Sequence, residues 1–409
     1  MNRKEYIAGL DIGTTKTCCV LADVDLETGT ADIIGVGLTP SGGLRKGVVV
    51  DLESTTEAIR SVVDKAQKQA GNVQIRNVVV GVTGEHISSL NSRGVIAITS
   101  PNKEITPSDV DRVVEASRVI VLPPEREIIH SIARGFSVDG QDGIRDPIGM
   151  SGGRLEVETH IVTGSSTFID NVVKCVQRAS LAVESTVLEP IATSAAAVLE
   201  AEKDLGVCLI DIGGGTTDVA MFTNGEIFYT SIIPIGGTHV SKDVSVGLRT
   251  SQEEAERAKI EFGCAMVSMV NEGDVFHITS LGADEARELP KQILASIIEP
   301  RMEEILEKVR TELVKAGLLG MLPGGAVITG GGALLPGTVD FAEKILGMPV
   351  RLGMPRDVGG LCDTVQSPIY STAIGLVIYA AKQHAGLRDA EKTAKLRGGL
   401  KGWLRRLAK

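Results

Sequence analysis

A chain of 409 residues is too long for one ordinary hydrophobic core, and its net charge of −10 argues against a general nucleic-acid binder. Its 43% hydrophobic residues, scarce aromatics and plentiful glycine suit a folded α/β protein of two or more domains. Six cysteines lie scattered in or beside apolar runs with no C-x-x-C pair, and six histidines are equally dispersed, so neither a disulfide framework nor a histidine metal site is expected.

The polar start leads directly into apolar residues 7–10, which leaves no room for a secretory signal and predicts a cytoplasmic chain. Residues 7–17 read as a strand, a turn at Asp11-Ile12-Gly13-Thr14-Thr15-Lys16, and a strand returning through 18–21. A helical pattern follows at 61–70, then an apolar strand at 77–82 that ends in Thr83-Gly84.

Residues 84–159 read as a small domain inserted into the first half. Within it, 95–99 is strand-like, and Thr106-Pro107-Ser108-Asp109 opens a helix with an N-cap, a proline at the first turn and a carboxylate three residues on. Strands are predicted at 127–132 and 155–162, the second alternating Leu155, Val157, Thr159 and Ile161 against Glu156 and Glu158. Residues 160–164 read as a strand returning to the first half and 168–179 as a helix. Val187-Leu188-Glu189-Pro190 then forms a strand-to-helix corner before an alanine-rich run at 191–201.

Residues 207–219 repeat the first motif about 200 residues later as Asp211-Ile212-Gly213-Gly214-Gly215-Thr216-Thr217-Asp218. Glycines here can adopt φ > 0 and carry no Cβ, so backbone N–H groups can close on an anion. Thr216 and Thr217 add hydroxyls, and Asp211 stands where a strand end would deliver a carboxylate to a metal ion. The chemistry suggested is phosphate with Mg²⁺. An ordinary glycine-rich hairpin is the alternative for either motif alone; the pair suggests two related half-domains facing one cleft.

Further on, Ser251-Gln252-Glu253-Glu254 is a capping box, and 290–316 is a long helical pattern with Leu294, Ile297, Ile298, Met302, Ile305, Val309 and Leu313 on one face. Gly317 should stop this helix, and Pro300 should kink or divide it. A third glycine turn, Gly330-Gly331-Gly332-Ala333, follows a strand at 326–329; without an Asp or a Thr pair it suits packing a nucleoside. No P-loop occurs, and a Rossmann reading fails because the glycine runs lead into strand-like sequence.

The longest apolar run, 370–381, falls short of the roughly 20 residues that cross a bilayer. After a polar linker at 387–395, Leu396, Leu400, Trp403, Leu404 and Leu407 recur on one helical face, with Arg397, Lys401, Arg405 and Arg406 around the rest. That is the pattern of an interfacial membrane helix, with a basic tail that docks on another protein or is simply disordered as the alternative. Gly398, Gly399 and Gly402 each cost about 1 kcal/mol of helix propensity, so the segment should order only on an anionic membrane surface.

The two Asp-x-Gly turns and the late Gly-Gly-Gly-Ala resemble the phosphate-1, phosphate-2 and adenosine motifs of the actin, heat-shock chaperone and sugar-kinase superfamily. The insertion narrows this: Asn-Ser-Arg-Gly-Val-Ile-Ala-Ile at 91–98, Glu-Ile-Thr-Pro-Ser-Asp-Val at 104–110, Ile-Ile-His at 128–130 and the glycine-rich 138–157 resemble the FtsA cell-division family, whose 1C subdomain occupies this place. The resemblance implies a two-lobed actin-like ATPase fold. Lobe 1 would span 1–83, 160–204 and 363–386, lobe 2 would span 205–244 and 301–362, a 2B-like subdomain 245–300, and a membrane-binding amphipathic helix 396–409.

It further implies ATP and Mg as cofactors, with Gly13, Thr14, Thr15, Lys16, Gly213, Gly214, Gly215, Thr216 and Thr217 on phosphates and Asp11 and Asp211 holding Mg²⁺ mostly through water. Glu189 would position the metal and attacking water, and Glu256 and Lys259 would contact the nucleoside beside Gly330, Gly331, Gly332 and Ala333. Ile260 departs from the chaperone pattern, in which an arginine stacks on the base, and a solvated charged helix face remains the other reading of 256–259. Arg287, Arg301 and Glu304 would meet the C-terminal peptide of the tubulin homologue FtsZ, with simple Arg301–Glu304 ion pairing as the alternative.

The function so implied is an ATP-binding protein, with at most slow hydrolysis, that polymerises into actin-like filaments, tethers FtsZ filaments to the cytoplasmic side of the inner membrane at the division septum and recruits other division proteins. A PilM-like pilus scaffold and a small-molecule kinase are the alternatives; nucleic acid is not an expected partner.

Overall fold

The computed structural model describes residues 4–282 and 285–386, so the stripe at 396–409 lies outside the described residues. Two mixed sheets, each built the same way, frame the molecule. In the first, Lys4–Ile12 turns into antiparallel Lys16–Asp25, which pairs with Thr30–Pro40; on its other side Lys4–Ile12 runs parallel to Asn77–Val82, and that strand to Ala182–Leu188. In the second, Val207–Ile212 turns into antiparallel Thr217–Thr223 and then Glu226–Ile233, while Ala326–Thr329 and Val350–Leu352 extend the other side in parallel. The order of five strands is thus repeated, with Val358–Gly360 added to the first sheet's edge.

Helices cover both faces of these sheets, which is why their central strands read as unbroken apolar runs: Val207–Ile212 is buried at every position, Asp211 included. In lobe 1, Leu52–Gln69, capped by Asp51, packs Ile59, Val62 and Ala66 on one face together with Val172 and Val176 of Ser166–Arg178. The alanine-rich run is two helices, Glu189–Ala197 and Glu200–Leu205, because Val198 and Leu199 are extended between them. Glu189–Ala197 and a helix that begins at 371 cover the opposite face.

Lobe 2 packs Gly237–Leu248, Lys291–Lys315 and Thr338–Leu346 around one core. Pro300 neither breaks nor divides the 25-residue helix Lys291–Lys315, and the subdomain boundary expected at residue 300 falls inside it. A proline inside a helix costs about 3 kcal/mol, whereas each large apolar side chain buried is worth about 1.5–3 kcal/mol, and Leu294, Ile298, Met302, Ile305, Val309 and Leu313 are all buried on its two sides. Gly317, at φ +70°, ends the helix as expected. At Ser251 half a capping box forms: its hydroxyl accepts from Glu254 N–H at 3.1 Å, but the Glu254 carboxylate turns to Arg257 at 2.6 Å.

The insertion is a four-stranded antiparallel sheet ordered Ser88–Ala97, Arg154–Ser165, Arg126–Val138, Gln141–Ile144, covered on one face by Pro107–Ser117 with Thr106 and Asp109 in a full capping box. Residues 160–164 do not return to the first lobe's sheet. They continue Arg154–Ser165, paired to the insertion's own strands to its end, because Thr159-His160 holds no glycine, proline or other turn signal to end the strand there; Ala182–Leu188 makes the return. Glu156 also departs from the expected alternation, buried between the guanidinium groups of Arg93 and Arg154.

The insertion is docked on both lobes. His130 Nε2 accepts from the Leu188 N–H of lobe 1 at 2.9 Å, Ser89 donates to Thr230 O of lobe 2 at 2.9 Å, and His160 joins Asn91 at 2.8 Å to Thr230 at 3.0 Å. Val162, Leu188, Val207, Phe222 and Ile227 fill the junction beneath.

Candidate functional site

Both Asp-x-Gly motifs close the same turn. Gly13 N–H donates to Lys16 O at 3.0 Å and Gly213 N–H to Thr216 O at 3.0 Å, and the strand registers match residue for residue: Asp11 faces Cys18 as Asp211 faces Asp218. The two turns meet tip to tip. A Cβ on Gly214 would stand 2.5 Å from Thr15 Cγ2, and one on Gly215 would overlap the Thr14 hydroxyl. None of Gly213, Gly214 and Gly215 takes a positive φ; of the two freedoms glycine offers, the one used here is the missing Cβ.

A cavity of about 310 Å³ opens between these turns. Its walls carry Gly13, Thr14, Thr15 and Lys16 from one lobe and Gly213, Gly214, Gly215 and Thr216 from the other, with Asp11, Asp211 and Glu189. Glu256 and Lys259 lie on the wall as well, paired to each other at 2.8 Å, and Lys259 also donates to Gly237 O at 3.2 Å. The third turn reaches the cavity through Gly330, Gly331 and Gly332. Gly330, at φ +83°, could not carry a Cβ without striking the Asp211 carboxylate.

Two expected residues do not line the cavity. Thr217 is buried and donates its hydroxyl to Ile235 O at 2.8 Å, and Ala333 sits behind the glycine turn. Ile260 does line it, as an exposed apolar side chain, with Val240, Met302, Leu335 and Ile369. Arg287, Arg301 and Glu304 lie elsewhere on lobe 2. Arg287 donates to Leu248 O at 2.6 Å, and Arg301 clasps Asp243 at 2.6 and 3.1 Å while pairing with Glu304.

Asp218, Thr83, Thr372 and Gly47 were not expected at the site. Asp218 lay within the second motif and Thr83 at a strand end, which are usable signals; Thr372 was hidden in the apolar run 370–381, with no glycine to mark it. Thr372 and Thr193 each donate to Asp211 Oδ2 at 3.1 Å, and Thr83 donates to Asp218 Oδ2 at 2.7 Å.

The electrostatics are lopsided. Burial, then the neighbouring charges of Asp11, Asp218 and Asp211, push Glu189 well above the carboxylate range. Burial and then Asp211 push Asp218 up to about 7, and burial pushes Asp211 up to about 6 against the pull of Lys16. Burial disfavours the Lys16 charge, but Asp11 at 2.9 Å more than offsets it and holds the ammonium above its usual range. Asp218 Oδ1 is buried without a hydrogen-bond partner. A cation would relieve this cluster. Among the described residues no group of three His, Cys, Asp or Glu stands close enough to bind a metal outright, so the donor set fits Mg²⁺ held through water and ligand oxygens.

The insertion and the lobe motif each match a known family. Residues 84–163 match the SHS2 domain inserted in FtsA, and residues 208–375 match the cell division protein FtsA. The chain is 43% identical to the cell division protein FtsA of Pseudomonas aeruginosa over 93% of its own length and 90% of that protein, and 42% identical to that of Neisseria meningitidis over 99% and 97%. The chain belongs to the FtsA family of cell-division proteins. In this FtsA-family chain the two-lobed fold is that of the actin-like ATPases: it superposes on the PilM–PilN type IV pilus biogenesis complex with a TM-score of 0.67 at 16% identity, covering 92% of this chain and 98% of the other. MreB5 of Spiroplasma citri bound to ADP superposes with a TM-score of 0.55 at 15% identity over 94% and 98%. Among the described residues of this family member, no helix is long and apolar enough to cross a membrane.

Proposed function

We propose that this protein binds ATP with Mg²⁺ between its lobes, self-associates into actin-like filaments, and tethers FtsZ filaments to the cytoplasmic side of the inner membrane at the division septum, where other division proteins gather. The observation that carries the nucleotide reading is the pair of matched turns facing each other across one cavity, beside a third glycine turn and an apolar wall. Backbone N–H groups and the hydroxyls of Thr14, Thr15 and Thr216 would bind phosphate oxygens, and Gly330 to Gly332 would let the nucleoside lie close to the backbone. Asp11 and Asp211 would hold the Mg²⁺ shell with Asp218 close by; bound there, the ion neutralises phosphate charge.

Glu189, buried on the cavity wall beside Asp11, Asp211 and Asp218, would position the metal and the attacking water, with hydrolysis slow at most. Membrane attachment would come from Leu396, Leu400, Trp403, Leu404 and Leu407 with their basic flank, each copy weakly and a filament of copies firmly. Cosedimentation with anionic liposomes tests the tether. The wild-type chain should pellet with lipid and Leu404→Glu should stay in the supernatant; equal pelleting of both sinks the attachment model. Arg301→Glu should weaken binding of a peptide from the FtsZ C-terminus at least tenfold, and unchanged affinity would remove Arg301 from that contact.

A further inference from the structure

The cavity wall carries more buried acid than free base. Its lysines are already committed, Lys16 to Asp11 at 2.9 Å and Lys259 to Glu256 at 2.8 Å, and among the described residues no arginine lines it. Facing them are Asp11, Glu189, Asp211 and Asp218. A nucleoside diphosphate brings fewer negative charges than a triphosphate, and nothing on the wall answers the difference.

A further lysine is carried on the hairpin beside it. The short strands Leu44–Arg45 and Val48–Val49 are joined by Lys46 and Gly47 at φ +50° and +74°, the backbone of a tight two-residue hairpin turn. That turn drives the hairpin tip into the seam between the two phosphate turns. Gly47 lines the cavity and its N–H donates to Thr14 Oγ1 at 3.2 Å, while Lys46 Cα lies 3.0 Å from where a Cβ on Gly215 would be. The tip therefore touches a hydroxyl of one jaw and the bare backbone of the other. Among the described residues Lys46 makes no hydrogen bond or ion pair. Its charge nevertheless reaches His239 at the start of Gly237–Leu248, where burial, Arg301 and then Lys46 hold the imidazole below its usual value. A lysine anchored in lobe 1 thus projects its field onto lobe 2.

We infer that Lys46 binds the terminal phosphate of a nucleoside triphosphate and is the residue by which the cleft distinguishes triphosphate from diphosphate. This assignment rests on the nucleotide reading above and adds to it a cation the wall lacks. Binding there would tie the hairpin tip to both jaws through one phosphate, so the presence of that phosphate is reported across the lobe interface.

Isothermal titration of the full chain in Mg²⁺ with a non-hydrolysable ATP analogue and with ADP tests it. Lys46→Asn keeps a residue that tolerates the left-handed backbone and removes the charge, and Lys46→Arg keeps the charge. Loss of a charge-assisted contact should weaken the triphosphate analogue by about tenfold or more in Lys46→Asn while ADP affinity stays within about twofold, and Lys46→Arg should bind the analogue nearly as the wild type does. Equal weakening of both nucleotides, or of neither, overturns the assignment and leaves the nucleotide site standing. A wild-type chain that binds neither nucleotide overturns the site and the assignment together.

Discussion

Asp218 costs the fold stability when charged, and under the proposed function the same charge would serve the ligand. Burial and Asp211 raise its folded value to about 7, far above that of an exposed carboxylate, so the folded chain binds the extra proton and ionising Asp218 weakens the fold as pH rises from about 4 through 7. Asp218→Asn keeps an acceptor for the Thr83 hydroxyl and removes the charge. At pH 8 without ligand it should be more stable than the wild type by about 1–3 kcal/mol in urea unfolding, a gain that vanishes toward pH 4. The same variant should lose about tenfold or more in Mg²⁺-dependent nucleotide affinity, read by titration calorimetry. Equal stability of the two proteins at pH 8 would mean that solvent or an ion already relieves the charge.

At the scale of elements, the docking of the insertion carries its own pH dependence. His160 is 1% exposed, its Nδ1 on the Asn91 carbonyl and its Nε2 free to accept from Thr230; burial first, then the charges of Arg134 and His130, push it down to about 4. A neutral folded imidazole means that the unfolded chain binds the extra proton. The stabilisation is present above about pH 6.5 and is lost as pH falls toward 4. Acid should therefore loosen the seam between insertion and lobes, by on the order of 1–3 kcal/mol, and His160→Gln should flatten the fall between pH 6.5 and 4.5. Asp211 and Asp218 drive the opposite trend in both proteins, so the difference between wild type and variant isolates the imidazole.

The helix Lys291–Lys315 teaches a different lesson. Its apolar stripe was legible and Pro300 was misleading, because a local propensity term is weighed against a buried face that only the whole lobe supplies. The strand Arg154–Ser165 likewise hid its allegiance: periodicity tells which side chains face a core, but not which core.

For the whole molecule, the duplicated hairpins were readable because glycine, aspartate and threonine recur at matching offsets, and so were most of the cavity's residues. Thr372 and Gly47 were not, since each reaches the site through tertiary packing of a segment whose own pattern is ordinary. The tip-to-tip meeting of the lobes gives a direct test of cleft motion. Thr15→Cys with Gly214→Cys places two sulfur-bearing positions across the interface where the Cβ atoms would be 3.1 Å apart, under the roughly 3.5–4.5 Å of a relaxed disulfide, so the jaws must part by a few tenths of an ångström to accept the added Cβ and the bond. Oxidation should lock the cleft and abolish nucleotide-induced thermal stabilisation, and reduction should restore it; the native cysteines, buried apart from the half-buried Cys362, should interfere little. Full stabilisation in the cross-linked protein would show that ligand enters without the jaws parting.

The repeated hairpin also has a directional consequence. Two identical jaws could grip a linear polyanion in either sense. Here the copies have diverged at the contact positions: one offers Thr14, Thr15 and Lys16 with a neutral Cys18 behind them, the other Gly214, Gly215 and Thr216 with Asp218 in the matching place. One jaw offers two hydroxyls and a lysine, and its twin two bare glycines and one hydroxyl backed by an additional acid. Under the proposed function, a chain of phosphates lying between them would meet a polarised vice, which favours one way round.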